Sequence, residues 1–281
     1  MSAGDAKVWM ITGAGRGLGA AIAAAALTAG DQVVATARDP QGAGTDLGGS
    51  SHRLLVVRLD VTCEAEAAEA VAAAVRHFGR IDVLVNNAGY GLLGALEECS
   101  AEEVERQFRT NVFGLLNVTR AALPIMRAQK SGHVINLSSM AGYQGWPGAS
   151  MYCASKFAVE GLSESLAQEL APLGIQVTMI EPGHFRTGFL ADGSIRFAAR
   201  RIAAYEATIG VKRERISSSS GRQAGDPSKL ASAVVKIAHT ERPPLRLPMG
   251  ADAVAAIESE SAAVLGELNR WRPLSTSTGF D

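Results

Sequence analysis

The sequence predicts an α/β protein built on a doubly wound parallel sheet of about seven strands, flanked by helices on both faces. Three observations carry this. Short apolar runs rich in β-branched residues alternate with longer helical patterns, a glycine-rich turn sits at the first crossover, and a 47% hydrophobic content can fill a sizeable core. In such a sheet, ligands gather at the carboxyl ends of the strands. The 281 residues show no internal repeat and no linker, so residues 1–281 read as one domain.

Val8–Ile11 is the first strand. The turn after it reads Thr12-Gly13-Ala14-Gly15-Arg16-Gly17-Leu18-Gly19, and an alanine-rich helix follows to Gly30. Glycines let the backbone approach a pyrophosphate, and the first helical N–H groups, with the positive end of the helix dipole, face it. The spacing is T-G-x-x-x-G-x-G. The common G-x-G-x-x-G fails, because Leu18 stands where its last glycine belongs when counted from Gly13. Gln32–Ala37 is the second strand, with Arg38 directly after it and Asp39-Pro40 as the cap of a short turn. The stretch from Gln41 to Ser51 is a loop, and Arg53–Leu59 is a third strand closing on Asp60-Val61. Asp60 is also placed to cap the helix Cys63–Phe78.

Ile81–Val85, the fourth strand, runs into Asn86-Asn87-Ala88-Gly89, where asparagines can bond across the strand end and Ala-Gly leaves room for a ligand. Tyr90–Leu96 reads as a loop. Ala101–Ala128 reads as one long helix with Asn111 at its middle, polar, away from either cap and unfavourable there. His133–Leu137 and Ile175–Ile180 are the fifth and sixth strands, and the sixth ends in Pro182-Gly183-His184-Phe185-Arg186-Thr187. With no second histidine or acid nearby in sequence, His184 reads as a loop side chain. Regularity fades between Gly188 and Gly225, where Arg196, Arg200, Arg201, Lys212, Arg213, Arg215 and Arg222 read as a solvated basic face that would otherwise attract an anionic substrate. A capped helix at Asp226–His239, a last strand at Leu245–Leu247 and a terminal helix at about 251–272 complete the chain.

The chemistry concentrates between Asn136 and Lys156. A helix from Ala149 onward puts Tyr152 and Lys156 on one face, one turn apart, and Ser139 lies at the end of the fifth strand. An ammonium about 4 Å from a phenol, at an effective dielectric of roughly 20, favours the phenolate by about 4 kcal/mol. The expectation is therefore a tyrosine whose pKa is brought toward working pH, as a general acid/base needs.

Bulk composition excludes several classes. Lys plus Arg (27) nearly balance Asp plus Glu (28), so neither nucleic acid nor an anionic membrane is an expected partner; a small molecule is. Cys63, Cys99 and Cys153 form no disulfide framework and no metal cluster, which suits a reducing cytoplasm and a site without metal. The apolar run at the N-terminus is too short for a signal peptide or a spanning helix.

Taken together, T-G-x-x-x-G-x-G, N-N-A-G, Ser139 with Y-x-x-x-K, and P-G-x-x-x-T, in that order across Lys7–Thr187, resemble the classical short-chain dehydrogenase/reductase family. The resemblance implies a Rossmann-type fold, with hydride exchange between a nicotinamide cofactor and a carbonyl or secondary alcohol. It implies that Tyr152 donates the proton, Ser139 holds the carbonyl oxygen, Lys156 tunes the tyrosine and bonds the ribose, and Asn111 opens its helix and carries a water relay. It places the cofactor against Gly13, Gly15, Arg16, Gly17, Leu18, Gly19, Arg38, Asp60, Val61, Asn87, Ala88, Gly89, Tyr152, Lys156, Pro182, Gly183 and Thr187. The acid of NAD-preferring members is missing at Ala37 and Arg38 follows, so NADP(H) is favoured, with NAD(H) open. It also implies a substrate lid at about 188–225 and a homodimer or homotetramer. Two other readings stand beside this one: a catalytically silent cofactor sensor, and a lyase or epimerase, which would ordinarily carry T-G-x-x-G-x-x-G, with glycine where Arg16 stands.

Overall fold

The computed structural model describes residues 6–41, 51–187, 194–218 and 221–280. Gly188, Phe189, Ser219, Ser220 and most of the loop after Gln41 lie outside these, as do the side chains of 215–218.

Seven parallel strands form one sheet: β1 (Val8–Thr12), β2 (Gln32–Ala37), β3 (Leu54–Arg58), β4 (Val83–Asn86), β6 (Gly132–Leu137), β7 (Ile175–Pro182) and β9 (Arg246–Met249), in the order β3-β2-β1-β4-β6-β7-β9. The period-two alternation of side chains splits the core in two. Trp9, Ile11, Val33, Ala35, Val83, Val85, Ile135 and Leu137 pack on one face against α1 (Gly17–Thr28) and α7 (Pro227–Ala238). Met10, Val34, Leu84 and Val134 pack on the other against α2 (Glu64–Phe78) and α4 (Gly114–Gln129). Both faces are covered, which is why the strands read as near-continuous apolar runs. From β1 the chain winds first toward β2 and later toward β4, so the loops after β1 and β4 flank one crevice at the switch point.

Four expectations need correction. The interval read as irregular holds a helix, α6 (Val211–Ser218), and Arg213, read as part of a solvated basic face, is buried and paired with buried Glu98 at 3.2 Å. The segment Tyr90–Leu96 is not merely a loop: β5 (Gly91–Leu93) pairs in parallel with β8 (Ile195–Phe197), from the interval read as irregular. Three-residue strands are too short to show a period. Their pairing depends on where the two segments are carried in space. The long helix from Ala101 is interrupted, running as α3 (Ala101–Phe108), a π-helical turn (Arg109–Phe113) and then α4. The other strand and helix boundaries fall within a few residues of expectation. The terminal helix α8 (Ala251–Ser275) is mostly exposed, and Ala253 is its buried residue. No described helix is long and apolar enough to cross a membrane.

Candidate active site

The turn after β1 is built for close approach. Gly13 and Gly17 take left-handed φ of 65° and 60°, the region glycine adopts without steric cost. A Cβ on Gly19 would stand 2.4 Å from the Gly13 carbonyl oxygen and 2.5 Å from Asn87 Nδ2, so only glycine fits. α1 begins with no side-chain cap and no acid in its first turn. Its leading N–H groups and its dipole therefore point at the crevice without an internal anion, as a pyrophosphate requires.

The strand-end asparagines hold this turn in place. Asn87 Nδ2 donates to the Thr12 and Gly13 carbonyls at 2.9 and 3.1 Å, while the Thr12 hydroxyl accepts from Asn87 N and Ala88 N at 2.9 and 3.0 Å. Asn86 turns inward. Register places it beside Asn136, and its Nδ2 donates to Asn136 Oδ1 and to the Thr119 hydroxyl, both at 2.9 Å; Asn136 in turn donates to Ser163 at 2.8 Å. These fully buried partners lock β4, β6, α4 and α5 (Ser150–Leu170) together directly beneath the site.

β6 ends at Leu137 and delivers Ser139, whose hydroxyl accepts from Ala141 N at 3.1 Å and stands near the Tyr152 side chain. Tyr152 and Lys156 stand one turn apart on α5, with Lys156 Nζ 5.9 Å from the phenol ring centroid. The ring lies under Gly91, where a Cβ would come 3.6 Å from Tyr152 Cδ2. Lys156 is 8% exposed and donates to the Leu137 carbonyl at 2.6 Å. The expected depression of the phenol is not what the structure shows. Burial pushes Tyr152 up to about 12, against the opposing influence of the Ser139 hydroxyl, and burial pushes Lys156 down to about 8. Desolvation penalises the charged form of each group, and for the phenol it outweighs its hydroxyl neighbour. At neutral pH the tyrosine therefore carries its proton, the form a reduction consumes.

Asn111 is 3% exposed inside the π-helical turn. Its Oδ1 accepts from Tyr90 N at 3.0 Å, and its Nδ2 donates to the Tyr90 carbonyl at 2.9 Å and to Ser155 at 3.1 Å. The widened turn is what a mid-helix side chain bonded to a neighbouring strand would produce. The helix opening expected at Asn111 is thus present, and Asn111 ties the loop after β4 to α5.

The remaining cofactor candidates lie in the loops after β1, β2, β3 and β7. Thr187 comes within 3.9 Å of where a Gly17 Cβ would stand, so the loop after β7 closes over the glycine turn. Gly183 N donates to the Met249 carbonyl at 2.8 Å, leaving no room for a side chain beside Asp252. Arg16 Nη2 donates to Ser194 at 2.9 Å. Asp60 accepts from Thr62 N and its hydroxyl at 3.0 and 2.8 Å; the helix cap is Cys63, not Asp60. Partial burial pushes the Asp60 carboxyl up, but the Thr62 bonds and the nearby Arg38 outweigh it and hold it below the ordinary range. Arg38 is exposed at the end of β2, Val61 is buried beside Asp60, and Asp39 caps its turn by accepting from Gln41 N at 3.1 Å.

Several site residues gave no sequence signal. Gln107, fully buried, bridges the Tyr90 carbonyl and Leu92 N, both at 2.6 Å. His184, read as lacking an acid partner, is bonded through Nδ1 to Asp252 at 2.8 Å, across 68 residues of chain. Glu160 and Glu181 lie buried behind Lys156. Glu160 alone was findable, being one helical turn beyond Lys156.

Comparison with known proteins agrees with this geometry. Residues 7–194 match the family model for short chain dehydrogenase. The chain is 42% identical over 274 residues to Oxidoreductase BOA17 of Botryotinia fuckeliana, covering 97% of this chain and 99% of that one. A crystal structure of a short-chain dehydrogenase from Streptomyces avermitilis superposes with a TM-score of 0.91 at 42% identity, covering 98% and 100% of the two chains. Similar folds have been solved with either nicotinamide cofactor. A short-chain dehydrogenase/reductase from Burkholderia phymatum in complex with NAD has a TM-score of 0.79 and 27% identity, covering 94% and 97% of the chains. The closed form of a serine dehydrogenase with NADP+ has a TM-score of 0.72 and 30% identity, covering 86% and 94%. With the glycine turn, the asparagine strand end and the Ser139–Tyr152–Lys156 cluster on one crevice, the chain belongs to the classical short-chain dehydrogenase/reductase family of oxidoreductases.

Proposed function

We propose that the protein reduces a ketone or aldehyde with NADP(H), NAD(H) being the weaker cofactor. The observation that carries this is the grouping of Ser139 at the end of β6 with the half-buried Tyr152 and the buried Lys156 on α5, at the same ends of the strands as an uncapped α1. The bound dinucleotide would supply the hydride. Gly13, Gly15, Gly17, Leu18 and Gly19 would hold its pyrophosphate, Asp60 and Val61 its adenine, and Asn87–Gly89 with Pro182, Gly183 and Thr187 its nicotinamide side. Support for the phosphorylated form is electrostatic: Ala37 supplies no acid, Arg38 is exposed at the strand end, and Arg16 stands in the glycine turn.

Ser139 orients the substrate oxygen and Tyr152 delivers its proton as negative charge develops there. The Lys156 ammonium stabilises the phenolate left behind, so the cation matters most after the proton has gone. Asn111 holds the loop after β4 and the start of α5 in register and borders the path by which the proton is replaced. Gly91–Leu93, beside Tyr152, and Trp146, in the turn before α5, would line the substrate side, which suits a partly apolar substrate. Phe113, at the end of the π-helical turn that leads into α4, and Phe157 on α5 are 52% and 47% exposed, supporting a homo-oligomer paired through these faces.

The test is nicotinamide absorbance with a ketone panel. Tyr152→Phe removes the general acid and lowers turnover by about 10²–10⁴-fold while cofactor binding persists. Undiminished turnover in that variant removes the mechanism, and cofactor binding without turnover of any panel member points instead to a sensor.

A further inference from the structure

Behind Lys156 lies a group of charges that the proton transfer does not itself use. Glu160, one turn beyond Lys156 on α5, is 4% exposed, and Glu181 at the end of β7 is fully buried. Arg246 on β9 reaches both: its Nη1 donates to Glu160 and, at 2.9 Å, to Glu181, while its Nη2 donates to the half-exposed Glu164 at 2.7 Å. A Cβ on Gly142 would come 2.6 Å from the Ser138 hydroxyl, 2.9 Å from Glu160 Cγ and 3.1 Å from the Lys156 carbonyl, so these groups press on one point. The Tyr143 ring covers Arg246 at 5.8 Å and is itself bonded to Ser261 of α8 at 2.8 Å. Each acid adjoins a reactive segment, Glu160 following Lys156 by a turn and Glu181 preceding Pro182, and the neighbouring Ser138 precedes Ser139.

The charges do not balance locally. Two buried carboxylates share one guanidinium, and Glu160 Oε1 and Glu181 Oε2 each lack a donor. A single proton held between the two carboxyls satisfies both oxygens and removes one buried charge. Building on the reductase reading, we propose that Glu160 is a positioning residue for Lys156: with Glu181 and Arg246 it forms a proton-sharing cluster whose charge determines whether the lysine ammonium has a buried counter-ion. Burial raises Glu160 well above the ordinary carboxylate range, with Glu181 adding to the rise and Ser138 and Arg246 opposing it; burial lowers Lys156, and Glu160 opposes that. The groups facing Glu160 are Lys156 and Glu164 from α5, Glu181 from β7, Arg246 from β9 and Ser138 from the loop after β6. Glu260 of α8 is engaged elsewhere, by Gln144 at 3.2 Å.

The two acids make opposite predictions. Glu160→Gln removes the counter-ion, and the Lys156 titration midpoint falls by about one unit. Glu181→Gln removes the competitor for the shared proton and leaves Glu160 ionised, so the midpoint rises. Glu160→Asp restores most of the loss. The midpoint is read by nuclear magnetic resonance on protein carrying ¹³C-labelled lysine, with Lys156 identified by its absence from Lys156→Arg; this needs no turnover. In alcohol oxidation, the alkaline fall of kcat follows the same shifts. An unmoved midpoint in folded Glu160→Gln, or shifts of one sign in both Gln variants, overturns the proposal. Should Glu160→Gln not fold, Glu181→Gln decides alone, a rise supporting and any other result overturning. Opposite lysine shifts in a protein without turnover sustain the cluster and sink the reductase reading; turnover with an unmoved lysine does the reverse.

Discussion

Replacing Gly19 by alanine tests the construction of the cofactor turn. The added methyl would stand 2.4 Å from the Gly13 oxygen and 2.5 Å from Asn87 Nδ2, and neither is the free end of a flexible side chain. The first is backbone, and the second is held by its bonds to Thr12 and Gly13 at 2.9 and 3.1 Å. Forcing a methyl into packed surroundings costs about 1–3 kcal/mol, and losing two hydrogen bonds costs about 1 kcal/mol each, giving about 3–5 kcal/mol in all. For a domain of this size that lowers Tm by about 6–10 °C. A shifted turn also misplaces the α1 N–H groups, and dinucleotide Kd, measured by calorimetry, rises at least about tenfold. Two glycines serve as controls. A Gly17 Cβ meets nothing nearer than 3.9 Å, so Gly17→Ala carries only the backbone strain of φ 60°, about 1–2 kcal/mol. Gly145, with open space and no positive φ, tolerates alanine. A Gly19→Ala protein with wild-type Tm and Kd would refute the claim that close packing at this turn creates the site.

Other perturbations read different parts of the molecule. His133, 3% exposed and bonded through Nε2 to Thr178 at 2.9 Å, is pushed down to about 4 by burial and by Lys7. The unfolded chain binds its proton first, so stability falls as pH drops from about 6.5 toward 4, by at most about 3 kcal/mol. Urea melts across that range should show the slope, and His133→Gln should flatten it. Asn111→Leu removes three side-chain bonds and loosens the Tyr90 loop from α5; stability drops by about 2–3 kcal/mol and turnover falls more than cofactor affinity, an equal loss of both arguing against its siting role. Arg38→Ala lowers the kcat/KM ratio for NADPH over NADH by about 10–100-fold, and an unchanged ratio would remove the case for the phosphorylated cofactor. Phe157→Glu places a charge on the proposed oligomer face; sedimentation velocity should show a smaller species, and an unaltered assembly locates the interface elsewhere.

How much of this could be read beforehand follows from the range of the forces involved. Strand and helix order, the glycine turn and the Tyr152–Lys156 spacing are local properties of the chain. Side chains alternate along a strand and recur every turn of a helix, and a turn that needs left-handed φ or close approach asks for glycine at stated positions. The parallel sheet, the crevice at its switch point and most of the candidate site were legible for that reason. The interruption at Asn111 was legible only as an odd residue in an odd place.

What the linear order left undecided concerns charge and contact between distant segments. Burial of Tyr152 and Lys156 reversed the direction expected for the phenol, because desolvation depends on everything packed around a group and not on its neighbour one turn away. The β5–β8 pair, the Asp252 partner of His184, and the convergence of Glu160, Glu181 and Arg246 each join residues 65 or more positions apart or elements too short to announce themselves. No periodicity records such meetings; they exist because the sheet carries β7 and β9 side by side and lays α5 across them.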